Sequence, residues 1–194
     1  MDRDVRGNDA REALERLMEG NRRYRDAVRN DADISLPLRA ETCAQGQRPY
    51  AIVLACSDSR VVPEHIFMAG IGELFCVRVA GNVVGDAQLA SVVYAASHLG
   101  ARLVMVLGHT HCGAVGAAIA GDAVGSVGAL ASRIADAIGD ERDDLAACVL
   151  NVRASVDRLR GDGEIAALAE AAGLEVVGGV YRLEDGAVEV LEPR

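Results

Sequence analysis

Residues 50–60 read YAIVLACSDSR, an unbroken apolar run that passes directly into Cys56-Ser57-Asp58-Ser59-Arg60. A short apolar run without alternation is the pattern of a β-strand buried on both faces, as in parallel sheets covered by helices on each side. Residues 74–79 (LFCVRV) and 103–107 (LVMVL) repeat it, and the latter runs through Gly108 into His109-Thr110-His111-Cys112-Gly113. Helical spacing fills the intervals. Residues 10–28 put Leu14, Leu17, Met18, Asn21, Tyr24 and Val28 on one face, and Pro37 and Pro49 mark a loop. Asp86 is placed to cap a helix ending at Gly100, and helical patterns return at 126–138, 145–160 and 164–172. Residues 174–183, an Asp185-Gly186 turn and residues 187–191 read as a strand and hairpin.

Strands alternating with helices predict an α/β fold: a mostly parallel central sheet flanked by helices, with a projecting N-terminal helix and a C-terminal hairpin. No repeat or linker divides the 194 residues, so one domain is expected over 1–194, with 1–35 as a helical arm. That arm either covers its own sheet or reaches across to a second subunit.

Composition removes several function classes. All 20 basic residues are Arg, which excludes chemistries built on lysine, among them the phosphate-gripping P-loop and Schiff-base catalysis. The net charge of −9, with no cluster of basic and aromatic residues, argues against nucleic acid as a partner. No apolar run approaches the ~20 residues of a membrane span, so no membrane partner is expected. The opening MDRDVRGNDAREAL is charged from its second residue, unlike a secretory signal, which predicts a cytoplasmic protein with its five cysteines reduced.

In such sheets reactive groups collect beyond the carboxyl ends of the strands. If the strands at 50–55 and 103–107 are neighbours, Cys56, Asp58, His109 and Cys112 converge at one sheet edge. Alternation lets Cys56, Asp58 and Arg60 share a side, and one turn separates His109 from Cys112. Two thiolates and an imidazole make a three-ligand zinc set with an open position, which Asp58 would close as a fourth ligand. Cys43, Cys76 and Cys148 read as structural, His65 and His98 as helix residues, and His111 as facing away from the ligand pair. The chain has no GxGxxG after a strand, no GxSxG elbow and no CxxC.

The blocks CSDSRVVPE (56–64), RVAGN (78–82) and GHTHCGAV (108–115) resemble, in order and spacing, the signature blocks of the β-class carbonic anhydrases. Similarity extends to EGNRRY (19–24), to Asn151 within LNVRASV, and to the C-terminal VVGGVYRLEDGAVEVL, and is least between residues 116 and 145. The resemblance implies zinc held by Cys56, His109 and Cys112, with Asp58 and Arg60 as the catalytic dyad. Asp58 would serve as fourth ligand in a closed state. It further implies Gln47, Phe75 and Tyr94 as substrate-pocket residues, Gln47 acting across a dimer interface. The partners would be CO2 and bicarbonate, and the assembly a homodimer or dimer of dimers with N-terminal helices embracing the partner. The implied reaction is reversible hydration of CO2 by attack of zinc-bound hydroxide. Hydrolysis of CS2 or COS on the same scaffold, and a non-catalytic structural zinc site, are the rival readings. In relatives that close under bicarbonate control, an anion is held by a Trp, an Arg and a Tyr. Arg78 and Tyr181 match two of these positions, but Val53 occupies the third and the chain has no Trp, so an open site is expected.

Overall fold

The computed structural model describes residues 9–122 and 124–193. Helices α1 (Ala10–Asp26) and α2 (Leu36–Gln45) precede strand β1 (Ala51–Ala55), which is followed by α3 (Pro63–Ile66), β2 (Leu74–Arg78) and a 3-10 turn at Ala80–Asn82. Then come α4 (Asp86–His98), β3 (Leu103–His109), α5 (Gly113–Ala120), α6 (Gly125–Ile138), α7 (Asp144–Arg160), α8 (Gly163–Ala172), β4 (Glu175–Tyr181) and β5 (Val188–Val190). The strands form one sheet in the order β2-β1-β3-β4-β5, parallel throughout except for the final antiparallel pair. The α/β class, the parallel centre and the C-terminal hairpin match the sequence reading.

Strand alternation divides the core. Val53, Ala55, Met105 and Leu107 face Ala13 and Leu17 of α1 and Ile66 and Phe67 around α3. Ile52, Leu54, Val104 and Val106 face Val92 and Ala95 of α4, Val152 and Val156 of α7, and Ile165 of α8. With both sides covered, β1 and β3 are buried along their whole lengths, which is why they read as apolar runs. A third cluster roofs the carboxyl ends of the strands with Val83, Val115, Ile134, Ile138 and Ala147. α7 lies tight on the sheet because two facing strand positions are glycine. A Cβ on Gly108 or Gly178 would stand 2.4 or 2.8 Å from a methyl of Val152.

The local departures have local causes. α2 forms where a loop was expected: Ser35 Oγ accepts from the Leu38 N–H, and Pro37 sits in the first turn, where its missing N–H costs nothing. Gly85, not Asp86, caps α4, and its N–H donates to Gln88 Oε1. α5 is a further helix, one that its sequence GAVGAAIA does not announce, since small and apolar residues on every side leave no amphipathic pattern. α1 stops at Asp26, leaving Val28 fully exposed rather than on its apolar face.

The N-terminal helix is also tied down within the subunit. Residues 1–8 lie outside the described residues; within the subunit, Ala13 and Leu17 of α1 pack against the sheet. Asn21, 3% exposed, anchors the helix there. Its Nδ2 donates to the carbonyls of Ile66 (3.3 Å) and Gly186 (2.8 Å), and its Oδ1 accepts from the Val188 N–H (2.9 Å). One side chain thus ties the helix to α3 and to the C-terminal hairpin, and Tyr24 adds a hydroxyl contact of 3.1 Å to Tyr181. Asn21→Ala strands the Val188 N–H and the Ile66 and Gly186 carbonyls, and a buried group left unsatisfied costs ~1–3 kcal/mol. Chemical denaturation should show a loss of about 3 kcal/mol, whereas Val28→Ala, at a fully exposed position, should leave the midpoint unchanged.

Candidate metal centre

The parallel pairing of β1 with β3 sets Ala55 opposite Leu107, so the chain segments leaving both strands emerge side by side. Cys56 is the first residue past β1, His109 the last of β3, and Cys112 the residue that caps α5. Their exposures are 4%, 0% and 3%. Cys56 Sγ and Cys112 Sγ are 4.0 Å apart, and the candidate ligand atoms of all three residues lie within 4.8 Å of one another. Two sulfurs at corners of a tetrahedron around zinc are ~3.8 Å apart, given Zn–S of ~2.3 Å. The observed spacing fits that geometry.

The histidine supplies an independent sign. Its Nδ1 lies 2.8 Å from the Thr110 carbonyl, to which it donates, leaving the lone pair on Nε2. Nε2 is buried and has no hydrogen-bond partner. A buried unsatisfied nitrogen is costly, and an imidazole with its other nitrogen tied to a carbonyl is the usual form of a metal ligand.

Charge within the cluster follows from its geometry. The hydrogen bond from Cys112 holds the Cys56 thiol down at about 4, against the opposing effect of burial. The N–H groups of Asp58 (3.4 Å) and Gly81 (3.3 Å) also point at its sulfur. Cys112, as the donor to that thiolate and itself buried, is pushed far up. Burial resists charging of His109, but the adjacent Cys56 sulfur outweighs it and raises the imidazole.

Asp58 stands beside this set without joining it. Arg60 grips the carboxylate at both oxygens: Nε donates to Oδ1 (2.9 Å), Nη2 to Oδ2 (2.7 Å), and the Arg60 backbone N–H also reaches Oδ1 (2.9 Å). That grip holds the Asp58 carboxyl well below the usual carboxylate range. Oδ1 thus accepts two hydrogen bonds, whereas Oδ2 accepts one and keeps a lone pair 4.0 Å from His109 Nε2. Arg60 in turn donates to the His111 carbonyl, 3.2 Å away.

Three expected pocket residues are not brought to this centre within their own chain. Gln47 is exposed and precedes β1, so a strand ~17 Å long separates it from the carboxyl-end cluster. Phe75 pairs in register with Ile52, three positions short of Ala55. It contacts Tyr94 (ring centroids 6.2 Å), which is 47% exposed and stacks on His98. The β2 edge thus carries Phe75 and Tyr94 toward the outside of the subunit. Arg78 and Tyr181 are likewise kept apart, on β2 and β4 with two strands between them, ~14 Å across the sheet.

Two residues matter more here than their sequence context showed. Cys148, read as structural, donates its S–H to the His109 carbonyl (3.0 Å), and burial pushes the thiol up to about 12, so it stays a donor. Arg78 donates to the carbonyls of Cys56 (3.2 Å) and Asp58 (2.8 Å), bracing the loop that carries both. Neither contact could be read from spacing, since each links elements far apart in sequence. His111 has a left-handed backbone (φ 55°) and turns outward to Glu184, 2.8 Å away, as the sequence suggested.

Fold and site define an α/β protein with a buried Cys–His–Cys cluster able to hold a metal at the carboxyl ends of neighbouring parallel strands. Residues 51–188 match the family model for carbonic anhydrase, and the chain belongs to that family, in its β class. It is 37% identical over 165 residues to a carbonic anhydrase of Mycolicibacterium smegmatis, a match covering 78% of this chain and 79% of that protein. With carbonic anhydrase 2 of Mycobacterium tuberculosis it shares 44% identity over 108 residues, 56% of this chain but only 52% of the relative's length. Among solved structures, a Coccomyxa β-carbonic anhydrase in complex with acetazolamide superposes with a TM-score of 0.71 at 28% identity, covering 92% of this chain and 86% of that one. Tetrameric β-carbonic anhydrases from Sordaria macrospora share the fold, with a TM-score of 0.73 at 24% identity, covering 81% of this chain and 88% of that one.

A metal bound by these donors should shield Cys56 and Cys112 from alkylation, while exposed Cys43 reacts in either state. Mass spectrometry after iodoacetamide treatment, with and without equimolar zinc, checks this. Labelling of Cys56 and Cys112 in the zinc-loaded sample to the extent of exposed Cys43 would remove them from the ligand set.

Proposed function

We propose that this chain catalyses the reversible hydration of CO2 to bicarbonate and a proton, using zinc held by Cys56, His109 and Cys112. The observation that carries the reading is the partnerless, fully buried His109 Nε2 set among two cysteine sulfurs beside a clamped carboxylate. Bound zinc would supply Lewis acidity that makes water a nucleophile near neutral pH.

The chain's own residues provide the rest. Ionised and accepting only, Asp58 uses its free lone pair on Oδ2 to take a hydrogen bond from the nucleophile and so fix which way that nucleophile points. Arg60 keeps the carboxylate charged and turned away from the ligand atoms, which leaves the three-donor set with a position open to reactants. An open position supports an enzyme over a closed structural site. Val83, Val115 and Ile134 beside the cysteines give an apolar surround suited to a nonpolar gas.

The assembly in this reading is a homodimer or a dimer of dimers. Gln47, Phe75 and Tyr94 lie at the β2 side of the subunit, away from their own metal centre, and would complete the cleft of a second copy. Light scattering should then give twice or four times the chain mass, and Gln47→Ala should raise KM for CO2.

Asp58→Asn preserves shape but presents an N–H where the carboxylate accepts. It should retain zinc at one per chain and lose about 10²-fold or more in kcat, the scale of losing a positioned proton acceptor. Arg60→Ala should also be impaired, through a carboxylate no longer held from the metal. Stopped-flow hydration assays and metal analysis on the same samples read both. Wild-type rates in Asp58→Asn would take the carboxylate out of the mechanism, and turnover of CS2 in preference to CO2 would reassign the substrate.

A further inference from the structure

α7 carries a buried polar stripe that the hydration chemistry does not use. Cys148, Asn151 and Ser155 recur at helical spacing on one face, with exposures of 2%, 2% and 4%. Each donates to a backbone carbonyl of a segment that builds the metal centre. Cys148 reaches the His109 carbonyl at 3.0 Å, Asn151 Nδ2 the Gly81 carbonyl at 2.8 Å, and Ser155 Oγ the Asn82 carbonyl at 3.0 Å. A helix otherwise packed with Val152, Val156 and Leu159 thus uses its polar positions to grip two loops from different strands.

The Asn151 contact differs from the other two in what lies on the far side of it. Gly81 accepts from Asn151 through its carbonyl and donates through its N–H to Cys56 Sγ, 3.3 Å away. Its backbone is left-handed (φ 67°), and a Cβ there would stand 2.7 Å from Ile134 Cδ1, so the position favours glycine. Glycine is the residue least able to hold its own torsions. A donor aimed at a ligand sulfur from a glycine therefore needs an external clamp, and Asn151 supplies one.

We propose that Asn151 is a positioning residue for the metal centre: by clamping Gly81 it holds the N–H that donates to the Cys56 sulfur, and thereby sets how strongly that sulfur donates to a bound metal. The proposal rests on the reading of Cys56 as a ligand. A hydrogen bond to a thiolate draws charge from the sulfur, so freeing Gly81 should make Cys56 a more electron-rich and less well-aimed ligand. Outer contacts of this kind commonly change metal affinity by about 10- to 100-fold. Ser155 offers a built-in control, since it grips the next carbonyl along but has no route to the sulfur.

The test is cobalt substitution of the full chain in wild-type, Asn151→Ala and Ser155→Ala forms, with folding followed by circular dichroism. In Asn151→Ala the thiolate-to-cobalt charge-transfer band should move to lower energy, and metal should pass to a chelator about 10-fold faster. Ser155→Ala should keep the wild-type band and rate even if its melting temperature falls. A folded Asn151→Ala with wild-type band and rate overturns the proposal, as does an equal shift in Ser155→Ala. If Asn151→Ala fails to fold, NMR of the cadmium-loaded wild-type chain decides. A cadmium coupling at the Gly81 amide proton demonstrates the N–H to sulfur bond, and its absence overturns the proposal. A wild-type chain with no thiolate-to-cobalt band at all would overturn the ligand assignment itself, an outcome distinct from an unchanged Asn151 variant.

Discussion

The parallel pairing of β1 with β3 is the constraint on which the rest depends. Hydrogen bonding fixes Ala55 against Leu107, and one residue after the first and two after the second the chain presents Cys56 and His109. Antiparallel pairing would send the two ends to opposite edges of the sheet. A slip of one residue would turn His109 to the other face. The pairing is secured by burial on both sides: alternate side chains of each strand lie under α1 and α3 or under α4, α7 and α8. The apolar character of the strands and the placement of the ligands are thus one fact viewed from two ends.

Around the donors, the backbone contributes as much as the side chains. Asp58 and Gly81 aim N–H groups at the Cys56 sulfur, Cys112 sits at the N-terminus of α5, and Thr110 fixes the His109 ring through its carbonyl. Arg60 and Arg78 brace the loop from opposite directions, one through the Asp58 carboxylate and the other through the carbonyls of Cys56 and Asp58. The arginines also explain how an acidic chain without lysine keeps a carboxylate ionised in a half-closed site. A guanidinium offers the planar pair of donors that a carboxylate accepts in two places, which an ammonium does not.

The N-terminal helix shows what a single polar residue adds to an apolar face. Its apolar face was legible and fits either its own sheet or a neighbouring subunit, because periodicity records only that a face is buried. Within the subunit Asn21 anchors the helix through three hydrogen bonds to α3 and the C-terminal hairpin, groups more than forty and one hundred and sixty residues away. The same limit applied to Cys148, which reads as one more small apolar residue on α7 until the His109 carbonyl is found above it. α5 stayed unread for a different reason, since a run of Gly and Ala carries no amphipathic signal.

By itself the sequence determined the sheet class, the two cysteines and the histidine that meet at the strand ends, and the Asp58–Arg60 pair. Each of these depends on local spacing: apolar runs for buried strands, ligands placed at the points where those runs stop, and an acid and a base two residues apart. Only the tertiary structure decided which strands are neighbours, that Asp58 is clamped outside the donor set, and that Gln47, Phe75 and Tyr94 lie away from the centre of their own chain. Those outcomes follow from register and from contacts between distant segments. Hydrogen bonding and close packing choose them only when the whole chain is in place.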